Sequence, residues 1–340
     1  MRAAIVGATG AVGTEFLGIL DERRFPLTSL TLYASARSAG RTLSFRGEDL
    51  PVLPLPEDGD LIADVVFSSA GGTISRQHAW RWAEHGAVVI DNTSAWRMDE
   101  RVPLVVPEAN GEAALGHRGI IANPNCSTII ALMALAPLHR AFGLERATIA
   151  TYQAVSGAGT AGIEELREQT RAVLGGSDPR PRKFQHRIAF NLFSHDSDVG
   201  EDGYNVEERK LVLETRKILD APELRLSATC VRVPVFRAHS EAIHAEFRRP
   251  VSADEARETL AAAPGVRVVD DRARNTFPMP LDASGGDEVL VGRIRADASL
   301  GGAVALFVAG DQIRKGAALN AVQIAEHLIA KGALDAIRSP

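Results

Sequence analysis

The sequence predicts an α/β protein of two domains: a doubly wound parallel sheet, and an α+β domain with a mixed or antiparallel sheet. Three observations predict it. The chain has 340 residues, more than one ordinary hydrophobic core holds. Its first third alternates short apolar runs with amphipathic stretches, the pattern of parallel strands joined by helices. Beyond Ala147 the β runs are grouped with few helices between them, which marks a separate α+β unit. The expected domains are 1–125 together with 314–340, and 126–313.

Composition excludes several function classes. Apolar residues make up 45% and charged residues 24%, which is ordinary for a globular chain. A net charge of −5 supplies no basic face, so nucleic acid is not an expected partner. There is no C-x-x-C and no H-E-x-x-H, so no metal site is expected. No apolar run approaches membrane-spanning length, and Met1 leads straight into a strand-like run without a signal peptide. The two cysteines, Cys126 and Cys230, lie far apart and point to a reducing, cytoplasmic setting.

In order along the chain, Ala3 to Val6 suits a buried parallel strand. Gly7-Ala8-Thr9-Gly10-Ala11-Val12-Gly13 follows, then a helix through Phe16, Leu17 and Leu20. Strand, glycine turn and helix form the Rossmann-like context in which backbone N–H groups and a helix N-terminus receive a pyrophosphate. The spacing is G-x-x-G-x-x-G, and a tight turn without a ligand remains the other reading. The next strand, Leu30 to Ala34, ends in Ser35-Ala36-Arg37-Ser38 with no carboxylate to hold a ribose hydroxyl. Arg37, Ser35 and Ser38 suit a 2′-phosphate, hence NADP over NAD, although a solvated basic loop would look the same. Asp64 to Phe67 is a further strand, and the small residues after it, including Ala70 and Gly71, leave room for a ligand. A helix from Thr73 to His85 and a strand from Ala87 to Ile90 precede Arg97, which either binds an anion or is an ordinary surface arginine.

Asn123-Pro124-Asn125-Cys126-Ser127-Thr128 joins the apolar run Ile120 to Ala122 to the helix-like run Ile129 to Leu138. Asn125 suits an N-cap, so Cys126 falls in a first helical turn, where free N–H groups and the helix dipole favour a thiolate. A thiolate attacks carbonyl carbon. An inert buried cysteine is the bland alternative. Beyond it the sequence predicts a strand from Ala147 to Val155, a helix from Thr160 to Leu174, and a helix from Asn205 to Leu219 on which Glu207 and Lys210 share a face. Strands are expected at 226–235, 242–247, 266–269, 288–296 and 303–308. One face of this sheet should cover something apolar, a second subunit being one candidate. Cys230 reads as core. A last helix, 314–331, carries a stripe of Ala318, Val322, Ala325 and Ile329 and should return to the first sheet. A helix-capped thiolate and a dinucleotide loop in one chain suggest aldehyde chemistry with a proton-moving group, for which histidine is the suitable residue type. Nine histidines are present, and chemistry alone does not choose among them.

The chain resembles the aspartate-semialdehyde dehydrogenase family in ordered, separated stretches: Gly7 to Gly13, Ala34 to Gly40, Ser94 to Asp99, Val105 to Glu108, Asn123 to Thr128, Thr151 to Gly159, Cys230 to Val235 with His239-Ser240-Glu241, Val291 to Arg295, and Arg314 to Glu326. The resemblance implies Cys126 as nucleophile, His239 as acid/base and Gln153 as the residue orienting the substrate carbonyl. It implies Arg232 as clamp for the substrate α-carboxylate, Glu207 as partner of its amino group, Lys210 and Arg97 as the phosphate-binding pair, and Ser156 beside the substrate. Gly7, Thr9, Gly10, Val12, Gly13, Ser35, Arg37, Ser38, Ala70 and Gly71 resemble cofactor contacts, and Asn320 a nicotinamide-side contact. The implied reaction is the reversible, NADP-dependent conversion of aspartyl phosphate to aspartate semialdehyde and inorganic phosphate. A homodimer or a dimer of dimers is the implied assembly. The chain departs from the family at Ala238, where glycine is common, at Trp96, where phenylalanine is usual, and loosely over 185–203. Two other readings remain: an N-acetyl-glutamyl-phosphate reductase-like enzyme, whose motif usually places glycine before the cysteine, and a non-catalytic paralogue on the same fold.

Overall fold

The computed structural model describes residues 1–334, and the chain divides into two compact units, Met1–Asn125 with Ala317–Pro340, and Cys126–Gly316. Arg314 to Gly316, assigned from sequence to the first domain, therefore falls in the second unit. Residues 335–340 of that assignment lie outside the described residues.

The first unit contains strands β1 (Arg2–Val6), β2 (Ser29–Ala34), β3 (Thr42–Phe45), β4 (Glu48–Pro54), β5 (Val65–Ser68), β6 (Val88–Asp91) and β7 (Ile120–Ala122), with helices α1 (Ala11–Glu22), α2 (Gly72–Glu84) and α3 (Pro107–Asn110). The sheet order is β3-β4-β2-β1-β5-β6-β7, parallel except for the β3–β4 hairpin. β5 and β6 are buried along their whole length because helices cover both faces, which is why they read as unbroken apolar runs. The helix Leu319–Ala330 packs into this core through Leu319, Val322, Ala325 and Leu328, supplying the cover that its apolar stripe predicts. The β3–β4 hairpin escaped the sequence reading. It is mostly exposed, and its turn is set by Arg46 and Gly47, both at positive φ, rather than by an apolar run.

The second unit contains α4 (Cys126–Phe142), β8 (Leu144–Gln153), α5 (Thr160–Leu174), β9 (Phe193–Ser194), α6 (Val206–Ile218), β10 (Arg225–Arg232), β11 (His239–Phe247), α7 (Ala253–Ala261), β12 (Val266–Val268), α8 (Pro280–Ala283), β13 (Val289–Ala296) and β14 (Val304–Gly310). Its sheet is mixed, in the order β12-β13-β14-β11-β8-β10-β9, with β8 and β10 parallel and β11 antiparallel to β8. β10 stops at Arg232, short of the expected Val235, because Pro234 has no N–H to continue the ladder. β11 begins at His239, three residues before the expected start. α7 was missed although Ser252 and Glu255 form a reciprocal capping box at its start, a signal present in the sequence. The expected single helix 314–331 is instead a π-helical turn, Arg314–Ala318, ahead of the α-helix. Asp311 starts that turn by accepting from the N–H groups of Ile313 and Arg314.

Candidate active site

In the first unit the chain order switches sides of the sheet at β1, whose neighbours are β2 and β5. Such a switch point opens a crevice at the carboxyl ends of the strands. A cavity of about 410 Å³ lies there, lined among others by Gly7, Thr9, Gly10, Ser35, Arg37, Ser38 and Ala70. The three glycines of the turn have separate reasons to be glycine. Gly7 has φ +94, and a Cβ there would sit 2.7 Å from the Ser69 backbone. A Cβ on Gly13 would lie 2.1 Å from the Gly7 carbonyl oxygen, so the helix packs directly on the turn. Gly10 is the N-cap of α1 and has no side chain to close that helix end. No carboxylate lines the cavity; Arg37 is its one basic side chain. Gly13, Val12 and Gly71 do not line it: Gly13 shapes the turn, Val12 follows in α1, and Gly71, at φ +94, is the N-cap of α2.

Asn320 does not line it either. Its amide donates to Val105 O at 2.9 Å and to Asn123 Oδ1 at 2.7 Å, bracing the turn that leads to Asn125. Arg97 is buried rather than a surface arginine, and donates to Asn123 O at 3.0 Å and Asn92 O at 2.9 Å. Its loop is held by Asp91, which accepts from Ser75 Oγ at 2.7 Å and from the Thr93 N–H and hydroxyl, while Trp96 Nε1 donates to Ser75 Oγ. Burial raises the Asp91 pKa against the lowering effect of those bonds and of Arg97.

In the second unit the sheet register brings distant residues into one row. Arg232 at the end of β10 pairs with Gln153 at the end of β8, and His239 opens the antiparallel neighbour β11. Cys126 is the first residue of α4, half-buried, with Sγ 3.4 Å from His239 Nε2. His239 Nδ1 accepts the Ala154 N–H at 3.0 Å, so the neutral ring carries its proton on Nε2, toward the sulfur. Burial first, then the charge of Arg232, holds the His239 pKa well below the usual histidine range. Gln153 Nε2 donates to Glu207 Oε1 at 3.1 Å, and its Oε1 accepts from Thr151 Oγ1 at 3.2 Å. Glu207 also takes Lys210 Nζ at 3.0 Å, and the carboxylate of this pair is buried. Ser156 is buried and its hydroxyl accepts from the Gln312 amide. Cys230 is buried and its thiol pKa is pushed up by that burial, so it does not share the setting of Cys126.

The structure adds residues that sequence reasoning passed over. Arg232 is bound by His195 and Asp196, two residues in the loosely matching stretch with no local motif to mark them. Burial raises the Asp196 pKa, but the charge and hydrogen bonds of Arg232 outweigh it and leave it lowered. A Cβ on Gly157 would lie 3.2 Å from Arg232 Nη1 and 3.5 Å from His239 Nε2, so glycine lets these two side chains sit together. A Cβ on Gly316 would lie 3.0 Å from the Cys126 Cβ. Ala238, immediately before His239, has φ 70, the left-handed region that favours glycine.

Comparison with known proteins agrees across nearly the whole chain. The family model for the semialdehyde dehydrogenase NAD binding domain matches residues 2–117, and that for the semialdehyde dehydrogenase dimerisation domain matches residues 135–315. The aspartate-semialdehyde dehydrogenase of Synechocystis is 52% identical over 332 residues, covering 98% of each chain. The structure of Vibrio cholerae aspartate semialdehyde dehydrogenase II complexed with ASA is similar at a TM-score of 0.93, with 46% identity over 97% of this chain and 98% of that one. The Candida albicans aspartate semialdehyde dehydrogenase with NADP aligns at a TM-score of 0.75 and 28% identity, covering 98% of this chain and 99% of that one. On this fold, this site and these relatives, the chain belongs to the aspartate-semialdehyde dehydrogenase family of oxidoreductases.

Proposed function

We propose that the chain reduces L-4-aspartyl phosphate to L-aspartate 4-semialdehyde with NADPH, reversibly, in the biosynthesis of lysine, threonine, methionine and diaminopimelate. The observation that carries this reading is a half-buried thiol on the first residue of a helix, 3.4 Å from a histidine whose Nε2–H faces it. The glycine turn, the uncapped start of α1, and Arg37 with Ser35 and Ser38 fit a dinucleotide carrying a 2′-phosphate. The solved Candida relative bound to NADP supports the same preference. When bound, the nicotinamide supplies or accepts the hydride.

The rest of the chemistry belongs to the chain. The helix N-terminus and the His239 Nε2–H stabilise the Cys126 thiolate. The thiolate attacks the acyl carbon, a C–S bond forms, and phosphate leaves with the electrons of the C–O bond. Arg97 and Lys210 form the phosphate-binding pair. Arg232 holds the α-carboxylate, a role suited to a planar two-pronged donor, and Glu207 receives the α-amino group. Gln153 orients the carbonyl, with Ser156 behind it. His239 works as acid/base through Nε2: its hydrogen is shared with the carbonyl oxygen as that atom gains negative charge, and is drawn back when the adduct releases aldehyde and thiolate. With Nδ1 turned to the Ala154 N–H, the resting ring is neutral and presents Nε2–H toward the sulfur. We assign the exposed sheet face bearing Tyr152, whose ring lies 6.2 Å from that of Phe307, to a homodimer or a dimer of dimers, in keeping with the dimerisation-domain match. Two cysteines that form no disulfide among the described residues suit the cytoplasm.

The test is NADPH absorbance on mixing the enzyme with the semialdehyde and NADP, with and without inorganic phosphate. The reading expects a phosphate-dependent rate, faster with NADP than with NAD, that falls on the order of 10⁴-fold in Cys126→Ser. A phosphate-independent rate, or a Cys126→Ser rate near wild type, overturns it. Arg232→Lys should mainly raise KM and His239→Ala mainly lower kcat; the opposite split exchanges those roles.

A further inference from the structure

The hydrogen bonds of Arg232 can be counted. A guanidinium has five N–H bonds. Nε–H and one Nη2–H go to Oδ1 of Asp196, at 3.1 and 2.9 Å. The second Nη2–H goes to His195 Nε2 at 2.8 Å, and one Nη1–H to the Ala154 carbonyl at 2.9 Å. Among the described residues, this leaves one N–H, on Nη1. A carboxylate held by the fork needs two parallel N–H bonds, and a single remaining donor cannot provide them.

For Arg232 to take a substrate carboxylate, a resident partner must leave. Ala154 O is backbone at the end of β8, and the Ala154 N–H is itself held by His239. His195 is a neutral acceptor, since it receives a guanidinium N–H, and its Nδ1 lies 3.1 Å from Ser197 Oγ. Asp196 is the anion of the three. It lies just beyond the two-residue strand β9, outside helix and strand, with a side chain 19% exposed against 3% for Arg232. The Nε/Nη2 edge it holds is one at which guanidinium receives a carboxylate.

We propose that Asp196 is a built-in carboxylate latch, which occupies the α-carboxylate subsite of Arg232 in the resting enzyme and is displaced by the substrate's own carboxylate. The proposal rests on the clamp role given to Arg232 above. The latch keeps a buried guanidinium compensated until substrate arrives, since an unpaired buried charge is strongly unfavourable. It also determines specificity. An aldehyde without a carboxylate has nothing to exchange for Asp196, and apparent substrate affinity is reduced by the fraction of molecules that are latched.

The experiment is the semialdehyde KM and kcat of Asp196→Asn and Asp196→Ser beside wild type and Arg232→Lys, with folding of each checked by thermal melt. Asparagine retains the shape and removes the charge. The proposal expects KM to fall roughly threefold to tenfold in both Asp196 variants, the range open to a partly exposed ion pair, with the change concentrated in KM. A KM that rises or stays constant in the Asp196 variants, while Arg232→Lys raises it, overturns the latch and leaves the clamp standing. Should Arg232→Lys leave KM unchanged, the clamp and the latch fall together.

Discussion

The two units build their sites from different material. In the first unit the glycine turn is backbone: the turn after β1 and the first turn of α1 approach each other so closely that a single methyl group on Gly13 would collide with the Gly7 carbonyl. In the second unit the row Arg232, Gln153 and His239 is made of side chains from three strands, backed by α6 and set beside the start of α4. A site made of backbone tolerates no added atoms, whereas a site made of side chains is sensitive to charge, protonation and small displacements. The difference also decides what a sequence can reveal.

The largest effect that separates the two is expected at Gly13. With a Cβ 2.1 Å from the Gly7 oxygen, Gly13→Ala must displace α1 from the turn. It should cost more than about 4 kcal/mol, read as a large fall in melting temperature together with lost NADP binding. A variant that melts and binds like wild type would remove the backbone account of the first site.

Gly157→Ala should be milder and differently expressed. The new Cβ would meet Arg232 and His239 at 3.2–3.5 Å, distances at which side chains shift by tenths of an ångström. The expected result is a loss of kcat/KM on the order of 10- to 100-fold with little change in melting temperature, measured by steady-state kinetics and a thermal melt. Equal losses of stability and activity would show that this glycine serves the fold rather than the site.

Glu241 sharpens the comparison inside the second unit. It lies on the same face of β11 as His239, fully buried, and neither carboxyl oxygen has a partner among the described residues. Burial raises its pKa well above the usual range. The folded state therefore keeps the proton after the unfolded chain has released it, so stability falls as pH rises above about 4.3, the unfolded carboxyl value. Glu241→Gln removes that loss. Its melting temperature should exceed that of wild type, and by more at about pH 9 than at about pH 6. A difference that is constant or shrinks with pH would mean Glu241 is ionised in the fold.

Ala238→Gly should have the smallest effect. A non-glycine residue in the left-handed region costs about 1–2 kcal/mol, and glycine loses about 0.5–1 kcal/mol through its freer unfolded chain. The two nearly offset, so a melting temperature equal to or slightly above that of wild type is expected, where an ordinary buried alanine would give a clear loss.

This contrast explains how much was legible. The glycine turn, the strand–helix alternation and the apolar stripe of the last helix are local patterns, and they read directly. The departure at Ala238 was visible as an oddity, and the structure supplies its meaning in a positive φ. His195 and Asp196 were not legible, because they act on Arg232 through pairing between β9 and β10, and nothing in their neighbourhood along the chain records that pairing. Asn320 was read as a cofactor contact; what the chain alone did not show is that its amide also braces the Asn123 turn. The β3–β4 hairpin was passed over because its strands lack a strong apolar pattern, and α7 because its capping box was not used.

The most direct test of the account is the mass of the intact protein after mixing with aspartyl phosphate while nicotinamide cofactor is withheld. With no hydride available, the acyl group should remain on the enzyme. The expected result is a mass increase of one aspartyl group per chain, located on Cys126 by peptide mapping, and absent in Cys126→Ser. An unmodified Cys126, or an acyl group on another residue, would contradict the covalent mechanism from which every other assignment follows.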